Sequence, residues 1–177
     1  SMRLFYRSGT QEPSVNQLQS VVDNSNTLSL TSGNPNLDQS TSHRLFMRYS
    51  LIDSKTGSNF FIGGGGSATQ NYIGNQVIYS RVDTTISGYG VLPAGAQYSY
   101  PINLDGYYNG RGFLSYGLPV YVIKSNVNFN LNASYTSAPS RINQQINNSK
   151  TANYGGGVTI SSNFSQNLDF TLSTQLS

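Results

Sequence analysis

The sequence predicts an all-β fold, an antiparallel up-and-down meander of about seven long strands that forms a section of a transmembrane β-barrel. Three observations predict it. Apolar and polar residues alternate in segments long enough to cross a bilayer, and the connections between these segments are alternately short and long. Only 10% of residues are charged, against roughly 25% in typical soluble domains. A mean hydropathy of -0.35 is compatible with this fold, because barrel strands carry apolar side chains only at every second position.

The clearest alternation runs from Asn126 to Thr136. Side chains of a strand point to opposite faces with period 2, so the apolar residues of this segment share one face and the Asn and Ser residues share the other. About ten residues are enough for a tilted strand to cross a bilayer. The segment therefore predicts a membrane strand whose lipid-facing residues are Val127, Phe129, Leu131, Ala133 and Tyr135.

Six further segments repeat the alternation more weakly and complete the predicted set of strands. In chain order they are Met2 to Arg7, His43 to Ile52, Asn59 to Gln70, Leu104 to Tyr116, Tyr154 to Ser162 and Leu168 to Leu176. In the last of these, Leu168, Phe170 and Leu172 are predicted to face lipid. The faces of the third segment are ambiguous because it contains the run Gly63 to Gly66.

The connections sort by length, which is typical of outer-membrane barrels with short periplasmic turns and long extracellular loops. The predicted turns are Ser54 to Gly57, Pro119 to Ser125 and Ser165 to Asn167, and the predicted loops are Ser8 to Ser42, Asn71 to Asn103 and Ser137 to Asn153. In the first loop, Ser14 is a candidate N-cap for a short helix within residues 13–22.

The odd number of strands predicts that residues 1–177 form one piece of a larger barrel domain, because bacterial barrels close with even numbers. Residues 1–2 read as the remnant of a tag, because they run directly into a strand-like segment.

Four motifs in a fixed order carry a resemblance to a known family. They are the segments Arg3 to Leu18, Gly33 to Ser40, Ser42 to Phe46 and Asp105 to Val120. Together they resemble the outer-membrane β-barrel proteins of Bacteroidetes that are related to TonB-dependent receptors. The segment G-N-P-N-L is similar to a motif that those receptors usually continue with Pro-Glu, where this chain has Asp38 and Gln39.

The resemblance implies a place and a function. It implies a bacterial outer-membrane protein of about 22 strands around a plug domain, in which this chain supplies barrel wall and extracellular loops. Its implied activity is nutrient uptake, driven by an inner-membrane energy coupler of the TonB type. The implied partners are outer-membrane lipid, the rest of the barrel, the plug, the coupler and a surface lipoprotein.

Five arginines fall on the polar parity of the predicted strands, namely Arg3, Arg7, Arg44, Arg48 and Arg111. An Arg on the lipid face at mid-membrane costs roughly 2 to 4 kcal/mol, so these residues are predicted to face the barrel lumen. Two interpretations stay open. The arginines form a track that attracts an anionic substrate, or they pair with lumen acids, backbone groups and the plug.

Neither catalysis nor a cofactor is predicted, and the chain is not expected to be an enzyme. The run Gly63 to Gly66 lacks the G-K-[ST] that a phosphate-binding loop requires. His43 is the single histidine and Cys is absent, so a His or Cys cluster cannot bind a metal ion. No cluster of Lys or Arg along the sequence indicates nucleic acid.

Tyr and Phe near strand ends are predicted to form aromatic girdles at the two membrane interfaces. Phe60, Tyr121 and Phe164 lie beside the predicted turns, and Tyr135 and Tyr154 lie toward the predicted loops.

The alternative from another class is a soluble β-sandwich that serves as a binding or adhesin-like domain. In that fold the apolar faces of two sheets would pack against each other. A barrel section instead leaves an apolar face and two strand edges uncovered, through which isolated chains are expected to self-associate.

Overall fold

The computed structural model describes residues 1–86, 90–165 and 168–176, with the side chains of 163–165 and 168–169 outside the description. The strands in chain order are β1 (Met2–Gln11), β2 (Ser29–Thr31), β3 (Ser40–Asp53), β4 (Ser58–Gln70), β5 (Tyr72–Tyr79), β6 (Thr84–Ile86), β7 (Gly90–Leu92), β8 (Gln97–Leu104), β9 (Tyr107–Val120), β10 (Ser125–Ile142), β11 (Gln145–Ser165) and β12 (Leu168–Leu176). One short helix, α1, spans Val15–Leu18.

Seven of these strands form a single antiparallel meander, which we call the wall. Its order is β1, β3, β4, β9, β10, β11 and β12, and each strand pairs with the next. The predicted all-β meander of seven long strands is therefore confirmed. In the described residues the two outer strands, β1 and β12, do not pair with each other.

Two short turns lie at the same end of the wall and contact each other. At the β3–β4 turn, the Asp53 carboxylate accepts a hydrogen bond from the Lys55 N–H at 2.9 Å. A 3₁₀ turn at Tyr121–Ile123 joins β9 to β10. The Tyr121 hydroxyl donates to the Thr56 carbonyl oxygen at 3.1 Å. The β11–β12 turn includes residues outside the described ranges.

The prediction of a third long loop is wrong. Residues Ser137 to Asn153 are mostly strand, because β10 continues to Ile142 and β11 begins at Gln145. The two residues between them, Asn143 and Gln144, have φ angles of 45° and 68°. Positive φ at both central positions is what a two-residue type I′ hairpin turn requires. The two strands therefore extend well beyond the part of β10 that pairs with β9, which ends at Ser137.

The second predicted loop, Asn71 to Asn103, is also mostly ordered as strands. β5 and β8 form an antiparallel hairpin, and β6 and β7 form a smaller one. The chain bends where this region leaves the wall, with positive φ at Asn71 and Gly106. Beyond the bend β5 pairs in parallel with β10 at Arg141 and Ile142, where β9 no longer reaches.

The first predicted loop packs on the β5–β8 hairpin. Its helix is confirmed, because Ser14 accepts a hydrogen bond from the Gln17 N–H and forms a capping box with it. The helix ends at Leu18, earlier than the predicted limit at Val22. Farther along, β2 pairs in parallel with β8.

We call these outer regions the cap, meaning residues 12–39, 71–86 and 90–106. Every buried hydrophobic side chain found in the described residues lies there, namely Leu30, Leu37, Leu92, Ala96, Ile102 and Leu104. Leu30, Leu92 and Ala96 form a small core against Val22, Ile86 and Tyr98. Among the described residues, no helix has the length and apolar character needed to cross a membrane.

Candidate functional site

The strand register sorts the wall into an apolar face and a polar face. Directly opposed residues of neighbouring strands share a face, so the register produces rows of side chains across the sheet. One such row contains Met2, Tyr49, Ile62, Leu114 and Leu131. Every second row across the sheet lies on the same face as this one. We call that face the apolar face and the other one the polar face.

The residues predicted to face lipid lie on this apolar face. In β10 the set is Val127, Phe129, Leu131, Ala133 and Tyr135. Val127 is opposite Ile160, which is opposite Leu172, so the face continues into β12 and includes Phe170 two residues earlier. The predicted Leu168 side chain lies outside the described residues.

A sandwich partner for the apolar face is missing from the described residues. Leu131 is 57% exposed and Leu172 is 56% exposed. The β-sandwich alternative requires that such side chains be buried against a second sheet. The two sheets of the described chain are the main sheet and the small β6–β7 hairpin of the cap, and no buried hydrophobic side chain is found on the wall.

A cavity of about 830 Å³ lies along the apolar face between β4 and β12. It opens where Gly112 and Gly156 leave gaps between larger neighbours such as Leu114 and Leu131. Among the described residues, no charged side chain lines it. The cavity can therefore hold apolar groups but offers no acid or base for chemistry.

The polar face brings four of the five predicted arginines into two direct pairs. Arg3 is opposite Arg48, and Arg7 is opposite Arg44. Arg111 lies on the same face two strands away, opposite Gly65. All five side chains are exposed. We call these five residues the arginine patch.

Two phenyl rings lie among the arginines and cover glycines of β4. A Cβ at Gly63 would lie 2.6 Å from Cζ of Phe113, and one at Gly65 would lie 2.9 Å from Cδ2 of Phe46. Each ring therefore rests on backbone that has no side chain. The ambiguous glycine run thus has a structural role, with Gly63 and Gly65 under the rings and Gly64 and Gly66 on the apolar face.

The polar face of β1, β3, β4, β9 and β10 carries no Asp or Glu. The acids of the described part of these strands and their connections are Glu12, Asp23, Asp38, Asp53, Asp83 and Asp105, which lie in loops, in the cap or at the β3–β4 turn. Like charges directly opposite on a sheet repel each other. The arginine patch is therefore a concentrated positive charge with no counter-charge from these strands.

The junction between wall and cap contains polar residues that the sequence did not reveal. The Asn103 amide donates to the carbonyl oxygens of Asp38 and Asn71, both at 2.9 Å, and accepts from the Asp38 N–H at 2.8 Å. Asp105 accepts from the Asn71 N–H at 3.1 Å. The Tyr72 and Tyr107 rings stack beside the bend with centroids 4.4 Å apart. The hydrogen bonds join the three segments of the cap to one another, and the Tyr72–Tyr107 stack joins the cap to β9 of the wall.

The aromatic residues predicted near strand ends lie in different parts of the wall. Phe60 packs edge-on against Tyr116 near the turns, and Tyr135 stacks on Tyr108 at the cap end. Tyr154 lies near the middle of β11, because the predicted loop beside it is strand. Tyr121 is exposed in its turn, and the Phe164 side chain lies outside the described residues.

A seven-strand antiparallel wall with one apolar face and one polar face is the arrangement of a transmembrane barrel. The profile of the Outer membrane protein beta-barrel family matches residues 1–177, which is the whole sequence. The chain belongs to this family. No curated protein and no solved structure matches it.

Membership of the outer membrane protein β-barrel family places the chain in the bacterial outer membrane. The wall is therefore a section of a transmembrane β-barrel. This agrees with the exposed apolar side chains, because lipid is the solvent that such a face requires.

Proposed function

We propose that the chain forms wall and extracellular cap of an outer-membrane transporter related to TonB-dependent receptors, which takes up a bulky nutrient. In this proposal the apolar face contacts lipid and the polar face lines the lumen. The main support for this orientation is the position of the arginine patch on the polar face. Arginines at mid-membrane on the lipid side would each cost roughly 2 to 4 kcal/mol, whereas water or a partner in the lumen can solvate them.

The cap supports a role at the extracellular end. The β3–β4 and β9–β10 turns lie at one end of the wall, and the cap lies at the other end with the extended β10–β11 hairpin, which matches the periplasmic and extracellular ends of outer-membrane barrels. Ordered connections on a rigid scaffold are where recognition residues usually lie. We therefore assign substrate contact outside the membrane to residues of the predicted loops Ser8 to Ser42 and Asn71 to Asn103.

The proposed protein is larger than this chain. The edges of β1 and β12 need further strands to close a barrel, because unpaired backbone groups cannot face lipid. A plug domain would fill the lumen, and an inner-membrane coupler of the TonB type would drive uptake. A surface lipoprotein is a further proposed partner at the cap.

The orientation of the wall can be tested with single cysteines, because the sequence contains none. Leu131→Cys and its neighbour Asn132→Cys place the same probe on opposite faces of β10. In cells with the full-length protein, a membrane-impermeant maleimide should label Asn132→Cys and spare Leu131→Cys. A lipid-soluble maleimide should label Leu131→Cys. The reverse pattern would contradict the proposed orientation.

Transport can be tested separately from orientation. Cells that carry the full-length gene and cells that lack it are offered a panel of labelled oligosaccharides, peptides and metal chelates. Gene-dependent uptake that stops when a protonophore collapses the inner-membrane gradient is the expected result. Gene-dependent uptake that is insensitive to the protonophore would indicate a passive channel and remove the TonB-type coupler from the proposal.

A further inference from the structure

We propose that the arginine patch is a binding site for a soluble organic anion that carries two or more carboxylate or phosphate groups. The inference rests on the proposed function in one respect, that the polar face lines the lumen. It goes beyond that function because it names the chemical class that the lumen recognises.

The arginines of the patch are spaced to hold two oxyanions. Arg3 and Arg48 are directly opposite, as are Arg7 and Arg44. Opposed residues of antiparallel strands have Cα atoms roughly 4.5 to 5.5 Å apart, and four residues along a strand span about 13 Å. Two arginine pairs therefore face the lumen about 13 Å apart, each able to grip one oxyanion with forked N–H donors.

The arginine patch has no counter-charge on the polar face of the strands that carry it or of their neighbours β4 and β10. The polar face of β1, β3, β4, β9 and β10 holds no carboxylate, and the five arginines are exposed. Two opposed pairs of like charge weaken the pairing of β1 with β3 unless an anion lies between them. A site that only stabilised the wall would place an acid in one of these rows.

Two phenyl rings lie beside the charged groups of the patch. Phe46 lies between Arg44 and Arg48 along β3 and covers Gly65, which is opposite Arg111. Phe113 covers Gly63 in the neighbouring row. An apolar surface thus separates the charged groups of the patch. It favours an anion with a carbon skeleton over a small inorganic ion, because the skeleton can contact the rings.

The test uses the full-length protein purified from outer membranes in a neutral detergent. Titration calorimetry with citrate and fructose 1,6-bisphosphate should give saturable binding that weakens as salt is raised. Inorganic phosphate should bind at least several-fold more weakly. The variant pair Arg44→Gln and Arg48→Gln should lower citrate affinity by about tenfold or more, because it removes one arginine from each opposed pair.

Two control variants separate charge from geometry. The pair Arg81→Gln and Arg141→Gln removes the same charge from outside the patch and should leave affinity unchanged. The pair Arg44→Lys and Arg48→Lys keeps the charge but loses the forked donors, and it should give an intermediate affinity. Heat-dependent mobility on gels checks that every variant is folded.

Three results would overturn the proposal. They are no anion binding by the unmodified protein, unchanged binding by the Gln pair, or an equal loss in the control pair. A resident protein segment that occupies the arginines would give the first result. The cysteine labelling of β10 reports orientation independently, so the proposed function can stand while the anion site fails. Labelling of Leu131→Cys in place of Asn132→Cys would instead remove the basis of both.

Discussion

The wall and the cap use apolar residues in opposite ways. In the described residues the wall has no buried hydrophobic side chain, and its Leu, Phe and Tyr residues lie on an exposed face. The cap, by contrast, buries the side chains of Leu30 and Leu92 completely. The two regions are therefore suited to two different solvents. In the proposed orientation lipid covers the apolar side chains of the wall, whereas the cap must hide its own from water.

The sources of stability differ accordingly. The wall is held by continuous backbone hydrogen bonding between long strands, with eighteen opposed residue pairs between β10 and β11 alone. The cap has short strands, and fully burying one Leu side chain contributes about 1.5 to 3 kcal/mol. The cap should therefore be sensitive to its few core residues, and the wall should be sensitive to which face a residue occupies.

The largest expected effect is in the cap core. Leu30→Ala should cost about 2 to 5 kcal/mol of cap stability, because it leaves a cavity beside Leu92 and Ala96. Hydrogen exchange followed by mass spectrometry should show faster exchange in β8, with β10 and β11 unchanged. Leu28→Ala is the matched control, because Leu28 is 60% exposed. Equal loss of protection in the wall would break the division into two regions.

The next effect concerns the two faces of the wall. Leu131→Arg should cost about 2 to 4 kcal/mol of folding free energy in phospholipid vesicles, because it places a charge in the membrane core. Asn132→Arg adds the same side chain on the polar face and should cost much less. Urea titrations of both full-length variants in vesicles measure the difference. Equal costs would mean that the apolar face is not in lipid.

A smaller effect is expected for the glycines of the wall. A Cβ at Gly65 would collide with the Leu45 carbonyl oxygen and the Phe46 ring, so Gly65→Ala should cost about 1 to 3 kcal/mol. At Gly110 the nearest atom to an added Cβ is 3.8 Å away. Gly110→Ala should therefore be nearly neutral in the same urea titration. An equal loss of unfolding free energy in both variants would show that the phenyl rings do not require glycine beneath them.

The smallest effect is a response of the cap to alkali. Burial, and then the neighbouring Tyr98, raise the pKa of Tyr100 above its ordinary value of 10.0. A raised pKa means that the stabilisation is fully present below pH 10 and is lost as the pH rises through the shifted value. Cap proteolysis should therefore increase above pH 10, and Tyr100→Phe should reduce that increase. An identical pH response in the variant would exclude Tyr100 as the cause.

Most of the wall could be predicted from the sequence because its signal is local. Alternation with period 2 identifies a strand and its faces from neighbouring residues alone, as for Asn126 to Thr136. The cap gives no such signal, because its strands pair across long separations. Gln97 donates to Ser29 although the two residues are 68 positions apart. The hairpin between Ser137 and Asn153 was missed because its Ser, Asn and Lys residues do not alternate with apolar ones.

The arginine patch was partly predictable. Parity placed all five arginines on one face, but the opposition of Arg3 to Arg48 and of Arg7 to Arg44 depends on the strand register. The placement of Phe46 and Phe113 on the glycines depends on it as well. Register is set by the pairing of whole strands, so it cannot be read from one segment.

The parallel contact between β5 and β10 has a consequence for the order of assembly. It joins Gln76 and Val77 to Arg141 and Ile142, so it cannot form until the chain has folded through β10. Contacts between distant segments are slow to form, because closing a long loop costs conformational entropy first. The β3–β4 and β10–β11 hairpins close over short turns and can form early. We therefore expect the extracellular surface to mature last, after the strands that support it have crossed the membrane.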